Sequence, residues 1–201
     1  MLKLKKIAVT GGISCGKTLF CRYLQELGAY VVSADEVVHQ LLSPKTELGQ
    51  NVIKLLGTDI LVDTVIDRRK IAEKVFHQPE LLKSLESLLH PEVMREIDKQ
   101  YQDVSKNNVT TVFVAEIPLL FEIGAGSMFD QTVTVIANEE DCIHRFRNTT
   151  GYDTEEFHRR MSRQFDPQKK AQLADSVIPN TGSKKELQER ATQFYQHLLT
   201  H

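Results

Sequence analysis

The feature that most constrains this chain is Gly11-Gly12-Ile13-Ser14-Cys15-Gly16-Lys17-Thr18, which fits G-x-x-x-x-G-K-[ST] at every fixed position. Glycines let a backbone wrap a chain of phosphates so that successive N–H groups point inward. A helix starting at the loop's end adds its unpaired N–H groups and its positive dipole end. In such a loop Lys17 reaches the β- and γ-phosphates and the Thr18 hydroxyl holds Mg²⁺. The motif has this meaning only between a strand and a helix. Ile7-Ala8-Val9-Thr10 supplies a β-branched, apolar strand, and Lys17 to Leu27 an amphipathic helix stopped by Gly28. Cys15, at the helix start, is either a redox-sensing thiol or simply a small residue tolerated there.

At 201 residues the chain has the length of one domain, read here as a single unit over 1–201. A net charge of −2 gives no electrostatic footprint for nucleic acid or an anionic membrane. Cys15, Cys21 and Cys142 form no C-x-x-C pair, which argues against a disulfide framework or structural zinc. The apolar run before the first glycines is too short for a signal-peptide core, and no run has the length of a membrane span. A cytoplasmic protein without nucleic-acid or membrane partners is expected. Nothing in the sequence bears on oligomeric state.

Further strands are predicted at Tyr30–Ser33, Thr111–Ala115, Thr132–Ile136 and Ser176–Ile178, with amphipathic stretches between them. Alternating strands and helices predict an α/β fold, a parallel sheet with helices on both faces. The stretch from Ser33 to Thr111 breaks that rhythm. Leu81, Leu82, Leu85, Leu88 and Leu89 recur at helical spacing behind Pro79, which predicts a helical insertion over about 41–105. A second departure lies at about 145–166. Asp153 with Glu156 marks one helix start and Asp166-Pro167 another, with Arg159, Arg160 and Arg163 between them, as in a mobile lid.

Asp35 follows the second strand by two residues, at the sheet edge where ligands of parallel sheets bind. It suits either of two roles: a base accepting the proton of an attacking hydroxyl, or an N-cap for a helix beginning at Glu36. The chain has no N-K-x-D guanine-reading sequence and no L-S-G-G-Q signature, which points away from GTPases and transport ATPases.

T-G-G-I-S-C-G-K-T (10 to 18), L-G-A-Y-V-V-S-A-D (27 to 35), D-R-R-K-I-A-E-K-V-F (67 to 76), L-L-H-P-E-V (88 to 93), I-P-L-L-F-E (117 to 122) and A-D-S-V-I-P-N-T-G (174 to 182) occur in this order. Together they resemble the dephospho-CoA kinase family across nearly the whole chain. The first stretch marks only a superfamily; L-L-H-P, P-L-L-F-E and A-D-x-V-I-x-N-x-G are more specific. The resemblance implies a three-layer P-loop core with a helical substrate-binding insertion and a helical lid. It implies transfer of phosphate from Mg·ATP to the ribose 3′-hydroxyl of dephospho-CoA, the last step of coenzyme A synthesis. On that reading Asp35, Lys17 and Arg145 carry the catalysis. Gly11 to Leu19, with Asn180 and Gly182, hold ATP. Asp35, His90, Pro118, Leu119, Leu120, Glu122, Arg160 and Gln164 serve the acceptor and the closed state.

Each of these residues also has a plainer reading. His90 can cap a helix before Pro91, Pro118 to Phe121 can end a strand, Glu122, Arg159 and Arg163 can be solvated, and Asn180 with Gly182 can make a turn. Five positions depart from the family pattern. Ser14 replaces a glycine, Leu19 a hydroxyl residue, Ser33 the first acid of D-A-D, His39 an arginine, and Thr149 a second lid arginine that Arg147 could replace. Two other functions remain open: a P-loop kinase for a nucleoside monophosphate or polyol, and a nucleotide-binding protein with weakened catalysis.

Overall fold

A computed structural model describes residues 4–76, 78–107 and 110–200. The chain divides into two units, Met1–Ser33 with Tyr101–His201, and Ala34–Gln100.

In the first unit, β1 (Lys5–Gly11) enters the glycine loop and α1 (Lys17–Glu26) leaves it, followed by β2 (Tyr30–Ser33). Gly28, at φ 110°, turns the chain between α1 and β2. The second unit holds α2 (Ala34–Leu41), α3 (Glu47–Leu56), the short strands β3 (Leu61–Val62) and β4 (Val65–Ile66), α4 (Arg68–Phe76) and most of α5 (Pro79–Asn107). The chain then returns through β5 (Val112–Glu116), β6 (Gln131–Ile136), α6 (Glu139–Thr150), α7 (Thr154–Met161), α8 (Pro167–Leu173), β7 (Ser176–Pro179) and α9 (Lys184–Thr200).

Five strands form one parallel sheet in the order β2-β5-β1-β6-β7. Each coincides within two residues with a strand expected from sequence. β5 and then β2 lie on one side of β1, and β6 and then β7 on the other. The connections therefore diverge beyond the carboxyl end of β1, where parallel sheets bind ligands. The glycine loop lies at that point.

Side chains alternate across the sheet. Ile7 and Val9 join a buried cluster with Phe20 and Leu24 of α1 and Leu187, Ala191 and Phe194 of α9. The rings of Phe20 and Phe194 lie 5.9 Å apart. Burying each of the larger of these side chains contributes about 1.5–3 kcal/mol, so the loop is hung on a well-anchored strand and helix. Phe113 of β5 stacks with Tyr30 at 5.7 Å and meets the edge of Tyr101 at 5.4 Å.

The Ala34–Gln100 unit has its own core of Val52, Leu56, Ile60, Ile66, Ile71, Val75 and Leu85. Thr46 caps α3, its hydroxyl accepting from the Gly49 N–H at 3.1 Å. The β3–β4 turn, unforeseen from sequence, places Asp63 and Thr64 at φ 46° and 67°, the left-handed pair that a tight hairpin demands.

Further along, α6 ends at Gly151, φ 75°. Asp153 caps α7 by accepting from the Glu156 N–H at 2.9 Å. Asp166 caps α8 by accepting from the Gln168 N–H at 2.8 Å, with Pro167 first in that helix. Both helix starts match the sequence reading.

Candidate active site

The glycine loop closes through three left-handed or glycine-only conformations: Gly11 at φ 143°, Ser14 at 54° and Gly16 at 101°. A Cβ on Gly11 would strike the Val135 carbonyl, and one on Gly16 would strike the Asn180 amide. Ser14 thus adopts the backbone that glycine takes without penalty, and holds about 1–2 kcal/mol of strain. Asn180 pins the loop from behind: it is buried, its Nδ2 donates to the Cys15 carbonyl at 2.8 Å, and its N–H donates to Ile136 O at 2.6 Å. Lys17 is buried as well, its ammonium donating to the carbonyls of Gly11 at 3.1 Å and Gly12 at 2.7 Å. Arg145 of α6 reaches the loop too, donating to Ser14 O at 3.5 Å.

Thr18 is exposed, and its hydroxyl donates to Glu116 Oε1 at 2.8 Å. Glu116 ends β5 in register with Val9 of β1, so the sheet itself brings this carboxylate beside the loop. A hydroxyl and a carboxylate oxygen are hard ligands of the kind Mg²⁺ takes, and the pair fits that ion. Among the described residues no cluster of three His, Cys, Asp or Glu could hold a metal. Mg²⁺ bound with phosphate oxygens and water needs no such cluster. Glu116 was not foreseen; its signal was an acid closing the apolar run Val112-Phe113-Val114-Ala115.

A cavity of about 410 Å³ is lined by Ser14, Lys17, Leu19, Arg145, Asn180 and Gly182. Thr149 lines it too, with its hydroxyl turned back onto the Arg145 carbonyl at 2.8 Å. Arg147 is exposed and does not line it, whereas Lys184 does. A second cavity of about 630 Å³ is lined by Gly12, Ile13, Cys15, Cys142, Met161 and Gln164. There the Ile13 N–H meets the sulfur of Met161, the last residue of α7, at 3.4 Å. Cys15 is a buried free thiol. Burial pushes the Cys142 thiol up to about 11.

The segment after β5 is a series of turns rather than a strand end. The Pro118 carbonyl accepts from Thr10 Oγ1 at 3.1 Å and from Lys170 Nζ at 2.6 Å. Leu120 is buried and Leu119 half-buried. Glu122 is not solvated: its Oε1 accepts from the Phe165 N–H at 2.7 Å and pairs with Lys170 Nζ at 2.9 Å. Gln164 Oε1 lies 3.5 Å from the same ammonium. Lys170, also unforeseen, is 0% exposed, and burial lowers its pKa against the raising influence of Glu122. Arg160 of α7 is held by Glu156 at 2.6 Å and lies over the Tyr152 ring at 4.9 Å.

The structure therefore gathers Gly11 to Leu19, Arg145, Asn180 and Gly182 around one loop, and Pro118, Glu122 and Gln164 around one buried lysine. Asp35 and His90 belong to the other unit. Asp35 is exposed and second in α2, which begins at Ala34, so it stands inside the first turn and does not cap it. His90 is half-buried within α5, which runs on through Pro91. The same unit holds a groove of about 1020 Å³ with Leu42, Val62 and Val65 beside Lys45, Arg68 and Arg69. Asp67, also lining it, turns its carboxylate onto the Arg69 N–H at 2.7 Å.

Residues 5–186 match the family model described as dephospho-CoA kinase. The chain is 46% identical to a dephospho-CoA kinase from Chlamydia pneumoniae, covering 97% of this chain and 96% of that one. It is 47% identical to one from Protochlamydia amoebophila, covering 98% of each. Among solved structures it is similar to TT1252 from Thermus thermophilus (TM-score 0.84, 31% identity, 98% and 99% coverage). It is also similar to a dephospho-CoA kinase from Campylobacter jejuni (TM-score 0.71, 29% identity, 96% of each). A shikimate kinase from Acinetobacter baumannii shares the fold at 13% identity and a TM-score of 0.56.

Proposed function

We infer from the dephospho-CoA kinase family, to which this chain belongs, that it transfers the terminal phosphate of ATP to the ribose 3′-hydroxyl of dephospho-CoA, giving coenzyme A and ADP. The observation that carries this reading is the glycine loop, flanked by Arg145 and backed by Asn180, joined to family likeness over nearly the full chain. No helix among the described residues is long and apolar enough to cross a membrane.

The loop's N–H groups and the start of α1 hold the phosphates. Lys17 exchanges its bonds to the Gly11 and Gly12 carbonyls for phosphate oxygens. Ser14, Leu19, Gly182 and Asn180 border the nucleoside side of ATP, since they line one cavity with Arg145. The fixed fork of Arg145 stabilises charge that builds on the phosphates during transfer. Thr18 and Glu116 would hold Mg²⁺, which neutralises phosphate charge when bound. Asp35 takes the proton of the acceptor hydroxyl, an exposed carboxylate suited to a general base. The lid, about 145–166, closes over the reactants and excludes water that would hydrolyse ATP.

The insertion, about 41–105, is read as the acceptor-binding body. Its groove sets cations beside apolar side chains, and dephospho-CoA joins a pyrophosphate to a long uncharged arm. Pro118, Leu119, Glu122, His90, Arg160 and Gln164 are proposed to shape acceptor binding and the closed state.

A panel of acceptors offered with Mg·ATP tests the assignment. Phosphoryl transfer to dephospho-CoA far above that to nucleoside monophosphates, shikimate and polyols is expected. Efficient transfer to a nucleoside monophosphate with none to dephospho-CoA would overturn it.

A further inference from the structure

We propose that Lys170 is a positioning residue for phosphoryl transfer, a buried cation that ties the acceptor loop to the end of the lid so that the two adopt the closed geometry together. The proposal rests on the assignment above.

The ammonium of Lys170 has three acceptors: Pro118 O at 2.6 Å, Glu122 Oε1 at 2.9 Å and Gln164 Oε1 at 3.5 Å. An ammonium has three protons, so its capacity is met. Each acceptor belongs to a segment proposed to act in transfer. Pro118 also accepts from Thr10, the residue before Gly11, which carries the connection to the foot of the phosphate loop. Glu122 accepts from the Phe165 backbone, where the chain leaves α7 for α8. One buried side chain therefore links the glycine loop, the turns after β5 and the lid's exit.

Stability does not explain this arrangement. Removing a lysine and a carboxylate from water is expensive, and apolar replacements of such pairs are often neutral or stabilising. The pair also leaves Glu122 Oε2 buried with no hydrogen-bond partner. A pair kept only to hold the fold together would be improved by satisfying that oxygen or removing both charges. Positioning gives the charges a purpose. Their directional bonds fix the Pro118 carbonyl, and with it the Pro118–Glu122 turns, relative to Gln164.

A positioning role and a merely structural one predict different kinetics. Lys170→Met leaves Glu122 buried without its cation and can unfold the protein, so Lys170→Met/Glu122→Gln, which removes both charges, is made beside it. On the folded double variant three quantities are measured: ATP affinity by calorimetry, KM and kcat for dephospho-CoA, and ADP released per coenzyme A formed. The expected result is a melting temperature near wild type, ATP affinity within about twofold, kcat/KM for dephospho-CoA lower by roughly tenfold or more, and a raised ADP-to-product ratio. Wild-type kcat/KM and coupling in that variant would overturn the proposal, as would a loss of ATP affinity as large as the loss for the acceptor. Failure of the wild-type protein to phosphorylate dephospho-CoA is a separate result, which strikes the assignment of function.

Discussion

Thr18 Oγ1 donates to Glu116 Oε1 at 2.8 Å across 98 residues of sequence, joining the last residue of the glycine motif to the last residue of β5. On the reading above, this hydroxyl and carboxylate are the protein's share of a Mg²⁺ site. Glu116→Gln is expected to reduce kcat by about 10²-fold and raise the Mg²⁺ concentration for half-maximal rate. Chelating divalent ions should abolish transfer in the wild type. A magnesium titration of both proteins checks this; identical curves would remove Glu116 from the site.

Ser14 and Gly16 both have positive φ but differ in what surrounds them. Ser14→Gly relieves strain and adds unfolded-state freedom, so the net gain is small, about 0–1 kcal/mol, with activity kept. Gly16→Ala forces a methyl against Asn180 at φ 101° and should cost more than about 2 kcal/mol and most ATP affinity. Denaturant melts and nucleotide titrations on both variants separate the two.

Cys142 gives a pH prediction whose sign follows from its burial. Its thiol is raised from 9.0 to about 11 in the folded protein, so the native state holds the proton more tightly than the unfolded chain. The stabilisation is fully present below pH 9 and is lost as pH rises through about 11. Wild type should therefore lose more melting temperature between these values than Cys142→Ala. Parallel slopes would contradict it.

Arg68 and Arg69 line the groove of the Ala34–Gln100 unit. Replacing both by alanine is expected to raise KM for dephospho-CoA by roughly tenfold while ATP affinity is unchanged, because charged hydrogen bonds to an anion contribute about 1.5–3 kcal/mol each and exposure weakens them. Salt should narrow the difference from wild type. Equal KM values would place the acceptor's pyrophosphate elsewhere.

Much of this was legible in the sequence because it is local. The glycine loop, the five strands, the Asp153 and Asp166 caps and the leucine-spaced helix that starts at Pro79 each follow from short-range pattern. Glu116 and Lys170 were not legible, since a strand-ending acid and a helical lysine acquire meaning only when β5 pairs with β1 and α8 meets the turns after β5. The β3–β4 hairpin was missed because two-residue strands around Asp63-Thr64 carry almost no period, and threonine is a poor signal for a left-handed turn. Sequence left Asp35 open between base and cap; the helix start at Ala34 removes the cap. Arg147, a candidate stand-in for the arginine missing at 149, proves to be surface-exposed, and Lys184 lines that cavity instead.

The most direct measurement is the position of the new phosphate after wild-type protein is incubated with Mg·ATP and dephospho-CoA, read by mass spectrometry and phosphorus NMR. A single product phosphorylated on the ribose 3′-hydroxyl, formed in step with ADP and lost in Lys17→Ala and Asp35→Asn, is expected. Folded, ATP-binding protein that yields no such product would contradict the account.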